Sequence, residues 1–383
     1  MKFASLVFAN LFRKKVRLLL TLGSFAVALF LFTFLALVRN AFTFGADVAS
    51  ARRLVTINRV SIIQPLPLSY QDKIMRIPGV QTVTHDNWFG GVYQDEKNFF
   101  PQFAIDPATQ RAVFPELVVP DDQWNTFLKD RQGAIVGART AKRFGWKIGD
   151  RIPIKNSTFG GSSAWEFVVD GIYHGQRPQD DETQFWFQWD YFEERVRDNY
   201  KGQVGWYTIK LNSPDDAMRV AKAVDAEFAN SPYETKTDTE SAFAAGWVKQ
   251  FGNVETLIVS IGLVVFFTLL LVTGNTMAIS VRERTGELAI LKAIGFKGHL
   301  VLFLVLAEAL TIALCGGLLG LGLAALAVPG LSSALSGMLP NLILSKAMIA
   351  TGIAFTLLVG ASSGLLPGIG AMRLRVVDAF RRI

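Results

Sequence analysis

The sequence contains few of the residues from which most metal and redox sites are built. Its 383 residues include one cysteine, Cys315, and three histidines, His85, His174 and His299. Three imidazoles and one thiol do not complete a usual zinc site without several carboxylates, and a single cysteine allows no disulfide within the chain. The composition therefore argues against a metal-binding function and against redox chemistry.

Motifs that mark nucleotide hydrolysis and metal-assisted hydrolysis are also missing. The sequence has no G-x-x-x-x-G-K-[ST] phosphate loop, no H-E-x-x-H pair and no C-x-x-C pair. The first of these supplies backbone N–H groups and a lysine to the phosphates of ATP. We therefore predict that the chain is not an enzyme, hydrolyses no ATP by itself, and binds no cofactor or metal.

Charge is nearly absent from four long stretches, residues 18–38, 256–280, 300–328 and 347–369. Each reaches the roughly 20 apolar residues that a helix needs to cross about 30 Å of hydrocarbon. They predict four transmembrane helices, over residues 18–38, 254–280, 299–328 and 347–369. The first stretch follows a basic cluster, as in a signal peptide. This apolar run is longer than the apolar core of a signal peptide, which has about 7–15 residues. We therefore predict that the stretch is retained as a membrane anchor.

The distribution of lysine and arginine orients these helices. Five precede the first stretch, four lie in residues 281–298 and four follow the last stretch, whereas residues 329–346 contain one. The positive-inside rule then predicts cytoplasmic termini and a cytoplasmic 281–298 loop in a multi-pass membrane protein. Residues 1–17 are expected to be either an interfacial helix or a continuation of the first span. Residues 329–346 are expected to be a short outer loop, and residues 370–383 a cytoplasmic tail.

Residues 39–253 are predicted to form an extracytoplasmic domain. Between residues 40 and 250, Asp and Glu number 27 against 24 Lys and Arg. This segment therefore has a net charge of −3, and the rest of the chain carries +10, which gives the total of +7. The positive charge lies at the membrane and does not indicate nucleic-acid binding. Alternating apolar residues predict strands at 53–63 and 204–211, and helices are expected at 69–77 and from Ser213. The domain is therefore expected to be mixed α/β.

Glycines recur at four-residue spacing in two of the predicted spans. They are Gly316 and Gly320 in the third span, and Gly360, Gly364 and Gly368 in the fourth. This spacing lets helix backbones approach closely in lipid, where no hydrophobic force drives association. The close contact is expected either within one subunit or between two subunits.

Glu308 lies inside the third predicted span. A carboxylate at that depth is costly unless it has a partner. We expect it either to accept hydrogen bonds from a neighbouring helix or to be protonated; a role in a transport path is the alternative.

Residues 281–298, VRERTGELAILKAIGFKG, form a charged segment between two apolar stretches. Leu288, Leu291 and Ile294 share one helical face, whereas the charged residues crowd the first turns, and Gly295 ends the pattern. A charged turn joining two spans would explain the charge but not the apolar face. The pattern therefore favours a short amphipathic helix that serves as a docking element at the cytoplasmic side.

The same segment carries a family resemblance. Its residues Arg282-Glu283-Arg284-Thr285, Glu287, Ile290-Leu291-Lys292-Ala293 and Gly295 resemble the R-E-R-T-x-E-I-G-I-L-K-A-[IL]-G coupling segment of FtsX-like and MacB-like ABC permeases, which include LolC and LolE. Ala289 replaces the usual glycine. Residues 136–150 and 169–172 resemble the MacB-type core pattern, and residues 366–381 resemble the family's ending, with Val376 in place of its proline.

The resemblance implies a membrane α-helical fold with four transmembrane helices and an inserted mixed α/β domain of the MacB periplasmic-core type. It implies a permease subunit of the mechanotransmission class, type VII. Such a subunit is expected to dimerise with a second copy or with a related permease. It is also expected to bind a separate ATPase, which holds ATP and Mg²⁺. The implied docking residues are Arg282, Glu283, Arg284, Glu287, Leu288, Leu291, Lys292 and Gly295. The expected activity is export or extraction of a hydrophobic or envelope substrate, with membrane lipid and a periplasmic adaptor or envelope protein as further partners.

Two other hypotheses stay open at the level of sequence. In the first, the chain is an FtsX-like signalling scaffold that controls a cell-wall hydrolase. In the second, it is a membrane-anchored enzyme whose active site lies in residues 40–250, which turnover by the purified outer domain would reveal. The identity of the substrate and the choice between homodimer and heterodimer are not specified by these patterns.

Overall fold

The computed structural model describes residues 13–48, 51–159, 164–177, 180–250, 254–335 and 344–374. Its α-helices are α1 (Lys15–Val48), α2 (Tyr70–Met75), α3 (Gln110–Val113), α4 (Asp121–Phe127), α5 (Ala138–Phe144), α6 (Trp189–Arg195), α7 (Ala217–Glu227), α8 (Glu240–Gln250), α9 (Val254–Glu283), α10 (Thr285–Ala293), α11 (Gly298–Leu335) and α12 (Lys346–Arg373). Its strands are β1 (Arg53–Asn58), β2 (Leu66–Pro67), β3 (Val80–Trp88), β4 (Gln102–Ile105), β5 (Leu117–Val118), β6 (Gly133–Gly137), β7 (Arg151–Ile154), β8 (Trp165–Gly175), β9 (Phe185–Gln188), β10 (Gln203–Val204), β11 (Trp206–Leu211) and β12 (Thr235–Thr239).

The described residues divide into two compact units. Residues 41–252 form the outer unit, together with residues 331–342; the remaining residues form the membrane unit. Within the described part of the chain, four helices of the membrane unit are long and apolar enough to cross a membrane, namely α1, α9, α11 and α12. These are the four helices that the apolar stretches predict.

The membrane helices are longer than the apolar stretches alone indicate. Helix α1 continues past residue 38 to Val48, and α11 continues past residue 328 to Leu335. Nothing in residues 39–48 forces a stop, because that segment contains no proline. Three predicted segments lie partly outside the described residues: an interfacial helix at 1–17, the outer loop at 329–346 and the tail at 370–383.

The outer unit is built on a mixed sheet of ten strands in the order β12-β1-β11-β3-β4-β9-β6-β8-β5, with β7 also pairing with β8. Strands β2 and β10 form a separate pair. Neighbouring strands run antiparallel except in the pairs β4–β9 and β6–β8. The predicted mixed α/β architecture is therefore present.

The core of the outer unit is aromatic and lies on both faces of the sheet. On one face, the Phe89 ring meets the edges of Trp165 and Phe187 at centroid distances of 5.0 and 5.1 Å. On the other face, Trp186 stacks on Tyr173 at 4.7 Å. Because Phe187 and Trp186 are consecutive on β9, the alternation of a strand sends them to opposite faces.

Arg53, at the start of β1, is a buried cation in the outer unit. It is 5% exposed and pairs with Glu240 at 2.7 Å and with Glu116 at 2.6 Å. Its guanidinium also lies over the Phe114 ring, 4.7 Å from the centroid. Since β1 and β12 are adjacent antiparallel strands, Arg53 joins the strand that follows α1 to the helix that follows β12.

The repeated glycines lie where membrane helices approach most closely. A Cβ atom at Gly316 would stand 2.5 Å from Phe25 Cβ, and one at Gly320 would stand 2.4 Å from the Ala26 carbonyl oxygen of α1. On α12, Cβ atoms added at Gly360, Gly364 and Gly368 would meet Ala313, Ala309 and Leu302 of α11 at 2.6–2.8 Å. All five glycines therefore serve packing within one subunit, between α1 and α11 and between α11 and α12.

Candidate coupling site

Helix α10 is a separate short element between two long membrane helices. Helix α9 ends at Glu283, and Arg284 then leaves the helical conformation with φ −107° and ψ 15°. At the other end, Gly295 adopts φ +101°, a conformation that favours glycine, before α11 begins at Gly298. The segment therefore contains the predicted short helix, and a residue with non-helical backbone angles bounds it on each side.

The apolar side of α10 faces its own bundle. Leu288 is 3% exposed and Ala289 is fully buried, and Leu291 packs against the same core, which also contains Val301 and Val305 of α11. Leu288 and Leu291 thus face the bundle in this structure, and their contact with a partner stays a prediction. An amphipathic helix lying on a bundle buries its apolar stripe against that bundle.

The open side of α10, together with the exposed residues that flank this helix, carries different side chains. Arg282 and Glu283 in the last turn of α9 and Glu287 of α10 are exposed. Ile290 of α10 and Ile294 just after it are exposed at 53% and 70%. Leu288, Leu291 and Ile294 share a face only in an ideal continuous helix, whereas here the helix ends at Ala293, which directs Ile294 outward. A partner approaching from the open side would meet these five residues.

The two glutamates of the open side already have partners on the same chain. Glu283 pairs with Lys14 and with Arg17, each at 2.7 Å, and Glu287 pairs with Arg13. The hydrogen bond from Arg13 is the main reason why the pKa of Glu287 lies below its ordinary value. The side chains of all three pairs are 28–65% exposed, and such pairs contribute little to stability. They hold Arg13 and Lys14, which precede α1, and Arg17 in its first turn against the end of α9 and the start of α10.

Glu308 has a partner inside the protein. Arg284 Nη1 donates to Glu308 Oε2 at 2.7 Å, and Glu308 is 8% exposed. The same guanidinium also lies 3.4 Å from Glu287 Oε2. Of the two expectations for this carboxylate, the structure shows the hydrogen-bonded one, with the donor supplied by the residue just before α10. Arg284 therefore points into the bundle, and its contact with a partner stays a prediction.

Lys292 ties the other end of α10 to α12. Its ammonium donates to the backbone oxygens of Met372 and Leu374, at 2.6 and 2.7 Å. These carbonyls belong to the last turn of α12 and the residue after it, where a helix leaves acceptors without intrahelical partners. A cation at a helix C-terminus also complements the helix dipole. Lys292 thus caps α12 within the chain, and its contact with a partner stays a prediction.

Two features of the described residues bear on catalysis. No group of three or more His, Cys, Asp or Glu side chains with metal-binding geometry occurs among the described residues. Residues 360–364 read G-x-S-x-G, a form associated with hydrolase nucleophiles, but they lie inside α12, where the Ser362 hydroxyl donates to the backbone oxygen of Leu358. A nucleophile of that type needs a strand-to-helix turn, so this match is coincidental.

The outer unit holds a buried polar cluster around β3. His85 Nδ1 lies 2.6 Å from Gln71 Oε1, and Asp86, which points to the opposite face, accepts hydrogen bonds from the side chains of Gln110 and Trp206. Burial raises the pKa of Asp86 to about 7 and lowers the pKa of His85 to about 4. Desolvation thus disfavours the charged form of each group, so that His85 is neutral at pH 7 and Asp86 ionises as the pH rises through about 7.

This cluster predicts a specific pH dependence. Because the pKa of Asp86 is raised from 3.8 to about 7, its contribution to stability is complete below pH 3.8 and is lost as the pH rises through 7. His85 acts oppositely, losing its contribution as the pH falls through about 4. The substitution Asp86→Asn removes the loss of stability that comes from Asp86 as the pH rises, and leaves the loss that comes from His85 as the pH falls. Relative to the wild type, its free energy of unfolding should rise between pH 4 and 7, by at most about 4 kcal/mol.

Tryptophan fluorescence measures this effect in the full-length chain. All eight tryptophans lie between residues 88 and 247, in the outer unit. Denaturant unfolding of the wild type, Asp86→Asn and the control Asp190→Asn, an exposed aspartate of α6, would be followed from pH 4 to 8. Parallel stability profiles for wild type and Asp86→Asn would contradict the assignment.

Comparison with known proteins places these features in a family. The model of the MacB-like periplasmic core domain matches residues 18–227, more than half of the chain. The model of the FtsX-like permease C-terminal region matches residues 259–376, which include α10 and the helices around it. The chain belongs to the FtsX-like and MacB-like permeases of ABC transporters. The predicted fold class and family are thereby confirmed.

Curated relatives of this permease have names that agree with the family. The uncharacterized ABC transporter permease MJ1507 of Methanocaldococcus jannaschii is 24% identical over 323 residues, which cover 80% of this chain and 77% of that protein. The uncharacterized ABC transporter permease YknZ of Bacillus subtilis is 30% identical, over 45% of this chain and 44% of its own length. The macrolide export ATP-binding/permease protein MacB of Bdellovibrio bacteriovorus is 30% identical, over 39% of this chain and 23% of its own. The chain thus matches less than half the length of the last two.

Solved structures align with about half of the chain. The periplasmic region of MacB from Actinobacillus actinomycetemcomitans aligns at a TM-score of 0.38 and 13% identity, covering 52% of this chain and 94% of that structure. The extracellular domain of YknZ aligns at 0.36 and 11% identity, covering 49% and 100%. The assignment of the outer unit rests on the family model and on the sheet described above.

Proposed function

We propose that this permease is a non-catalytic subunit that couples ATP hydrolysis on a separate ATPase chain to movements of its own outer unit. The observation that carries this proposal is the short helix α10. Non-helical residues separate it from α9 and α11, and charged contacts connect it to three other parts of the membrane unit. A bound partner could displace such a helix as a rigid body. The sequence itself contains no phosphate loop, so the nucleotide, with Mg²⁺, would be bound by the partner.

The chemistry of the membrane unit favours transmission of movement over a water-filled conduit. Its four membrane helices are strongly apolar, and Glu308 is neutralised by Arg284 at 2.7 Å. A hydrophilic pore needs polar side chains along its length. Glu308, held by Arg284, does not supply a transport path by itself. The proposed substrate is therefore hydrophobic or associated with the envelope, and is exported or extracted on the outer side.

The proposed route of movement follows the chain. Helix α1 leads into β1, and β12 leads through α8 into α9, while β1 and β12 are paired strands of the outer sheet. A displacement of α1 relative to α9 would thus be passed along the chain to the paired strands β1 and β12. In this arrangement the chain acts as a dimer, with a second copy or a related permease, in the bacterial inner membrane with its termini and α10 in the cytoplasm.

The docking surface that we propose is the open side of α10. It combines the exposed apolar side chains Ile290 and Ile294 with the charges of Arg282, Glu283 and Glu287. Interfaces of this type have an apolar centre and a charged rim. Glu283 and Glu287 could contact the ATPase only by giving up their ion pairs with Arg13, Lys14 and Arg17. Substitution of Ile290 and Ile294 is therefore the sharper test of docking.

Placing aspartate at both Ile290 and Ile294 should abolish capture of the ATPase while leaving the permease folded. Both side chains are exposed at 53% and 70%, so the new charges stay in solvent and carry no burial penalty in the free chain, but they would be desolvated at an interface. The measurement is affinity purification of the tagged full-length chain in mild detergent, with mass spectrometry of the proteins that co-purify. We expect at least about a tenfold loss of ATPase, equivalent to about 1.4 kcal/mol.

His299→Asp is the matched control, because His299 is exposed and lies in the first turn of α11, outside α10. It should capture the ATPase as the wild type does. If the wild type captures no protein with a P-loop under conditions that preserve comparable complexes, the proposed function is wrong. If Ile290→Asp/Ile294→Asp captures it normally, the docking surface is wrong while the function stands.

A further inference from the structure

A buried ion pair connects the start of α10 with Glu308, which lies in the first third of α11. We propose that Arg284 and Glu308 form a latch that makes α10 and α11 move as one body, so that displacement of α10 by the ATPase is passed to the third membrane helix. The proposal rests on the proposed function, since the ATPase supplies the movement. Both residues are positioning residues and neither would touch nucleotide or substrate.

The backbone alone does not supply this connection. Arg284 interrupts the helix on one side of α10, and the turn at Gly295 interrupts it on the other. Rotation about these two breaks would let α10 tilt while α9 and α11 stay in place. Side-chain contacts therefore decide which membrane helix follows α10.

Packing around the pair is interrupted. A cavity of about 250 Å³ lies on the side of α10, lined by apolar side chains of α9, α10 and α11, and a second one of about 200 Å³ lies on the side of Arg13, Lys14 and Arg17. Arg284 and Glu308 line both cavities. The ion pair thus borders both spaces, next to the apolar core that α10 and α11 share.

The surroundings make this contact stronger than the other ion pairs of the segment. The side chains of Arg284 and Glu308 are 19% and 10% exposed, whereas those of Arg13 and Glu287 are 65% and 45% exposed. The attraction between two charges increases as the local dielectric constant falls. Separating either partner would also leave an uncompensated charge among apolar helices. The pair therefore resists separation when α10 is displaced.

The test compares the intact latch with an apolar replacement of similar volume. Arg284→Met combined with Glu308→Leu removes both charges without leaving one unpaired, a change that buried pairs often tolerate. Cys315 is the only cysteine, so in a Cys315→Ser background a fluorophore can be attached at Ile63→Cys, an outer-unit position that is 88% exposed. The readout is the change in fluorescence when ATP is added to the labelled permease bound to its ATPase.

We expect the wild-type pair to give an ATP-dependent change, which the apolar pair loses although it still binds the ATPase and hydrolyses ATP. The swapped pair, Arg284→Glu with Glu308→Arg, should restore the change. Arg13→Met, which removes an exposed ion pair of the same segment, should respond as the wild type does. If the apolar pair does not fold, Arg284→Gln with Glu308→Gln replaces it with the same expectation.

The outcomes separate the two proposals. A full ATP response in the apolar pair, or in the double glutamine variant, would overturn the latch while leaving the coupling function intact. Absence of an ATPase, or of any ATP response, in the wild type would contradict the proposed function, and would remove the movement that the latch is inferred to transmit.

Discussion

Replacing Gly320 by leucine is expected to prevent recovery of a folded permease. A Cβ atom at this position would lie 2.4 Å from the Ala26 carbonyl oxygen and 2.8 Å from Leu29 Cβ, both on α1. The first of these is a backbone atom, so no side-chain rotation relieves the clash, and α1 and α11 would have to separate. Overpacking of a tight contact costs about 1–3 kcal/mol or more, and in lipid no hydrophobic force compensates for the lost helix contact.

Size-exclusion chromatography of detergent-extracted protein measures this effect. Gly322→Leu is the matched control, because Gly322 lies two residues further along the same helix and a Cβ atom there would meet nothing within 4 Å. Gly320→Leu should aggregate or be degraded, and Gly322→Leu should elute like the wild type. Equal behaviour of the two variants would contradict the packing of α1 on α11.

Replacing Arg53 by methionine should strongly destabilise the outer unit. Arg53 is 5% exposed, and its removal leaves Glu116 and Glu240 with less compensation, while the apolar side chain keeps most of the volume. Breaking a buried ion pair by removing one partner costs about 3–5 kcal/mol, and because both carboxylates retain about a fifth of their exposure, we expect the lower end of this range. The midpoint of thermal unfolding should fall by roughly 10 °C.

Thermal unfolding followed by tryptophan fluorescence tests this prediction, since all eight tryptophans belong to the outer unit. Arg131→Met is the control: Arg131 pairs with Glu194, but the two side chains are 63% and 53% exposed. An exposed pair contributes about 0–1 kcal/mol, so this variant should unfold within a few degrees of the wild type. If both variants shift the midpoint equally, Arg53 does not have the role that its burial indicates.

Features that depend on local sequence pattern were predictable. The apolar stretches predict α1, α9, α11 and α12 because length and hydrophobicity alone define a membrane helix. The glycine spacing on α11 and α12 predicts close helix contacts, although only the structure shows that they lie within one subunit. The charged motif after α9 predicts α10 because its residue pattern is specific to this family.

Features that depend on pairing across the chain could not be predicted in the same way. An amphipathic pattern does not say whether its apolar side faces a partner or its own bundle, and Leu288 is buried in the bundle. The partners of Glu308 and Lys292 lie on other helices, at sequence separations that no spacing rule covers. One signal was available: the basic residues before α1 and the glutamates at 283 and 287 are both expected at the cytoplasmic side, where opposite charges attract.

Native mass spectrometry of the complex captured from its own membrane tests the central claim most directly. The account predicts a complex in which a P-loop ATPase is present in equal number with permease chains, as two copies of each when the permease is a homodimer. Loss of the ATPase from the Ile290→Asp/Ile294→Asp complex, with the permease dimer preserved, would assign the contact to α10. A permease recovered intact and without any ATPase, in conditions where related complexes survive, would contradict the account.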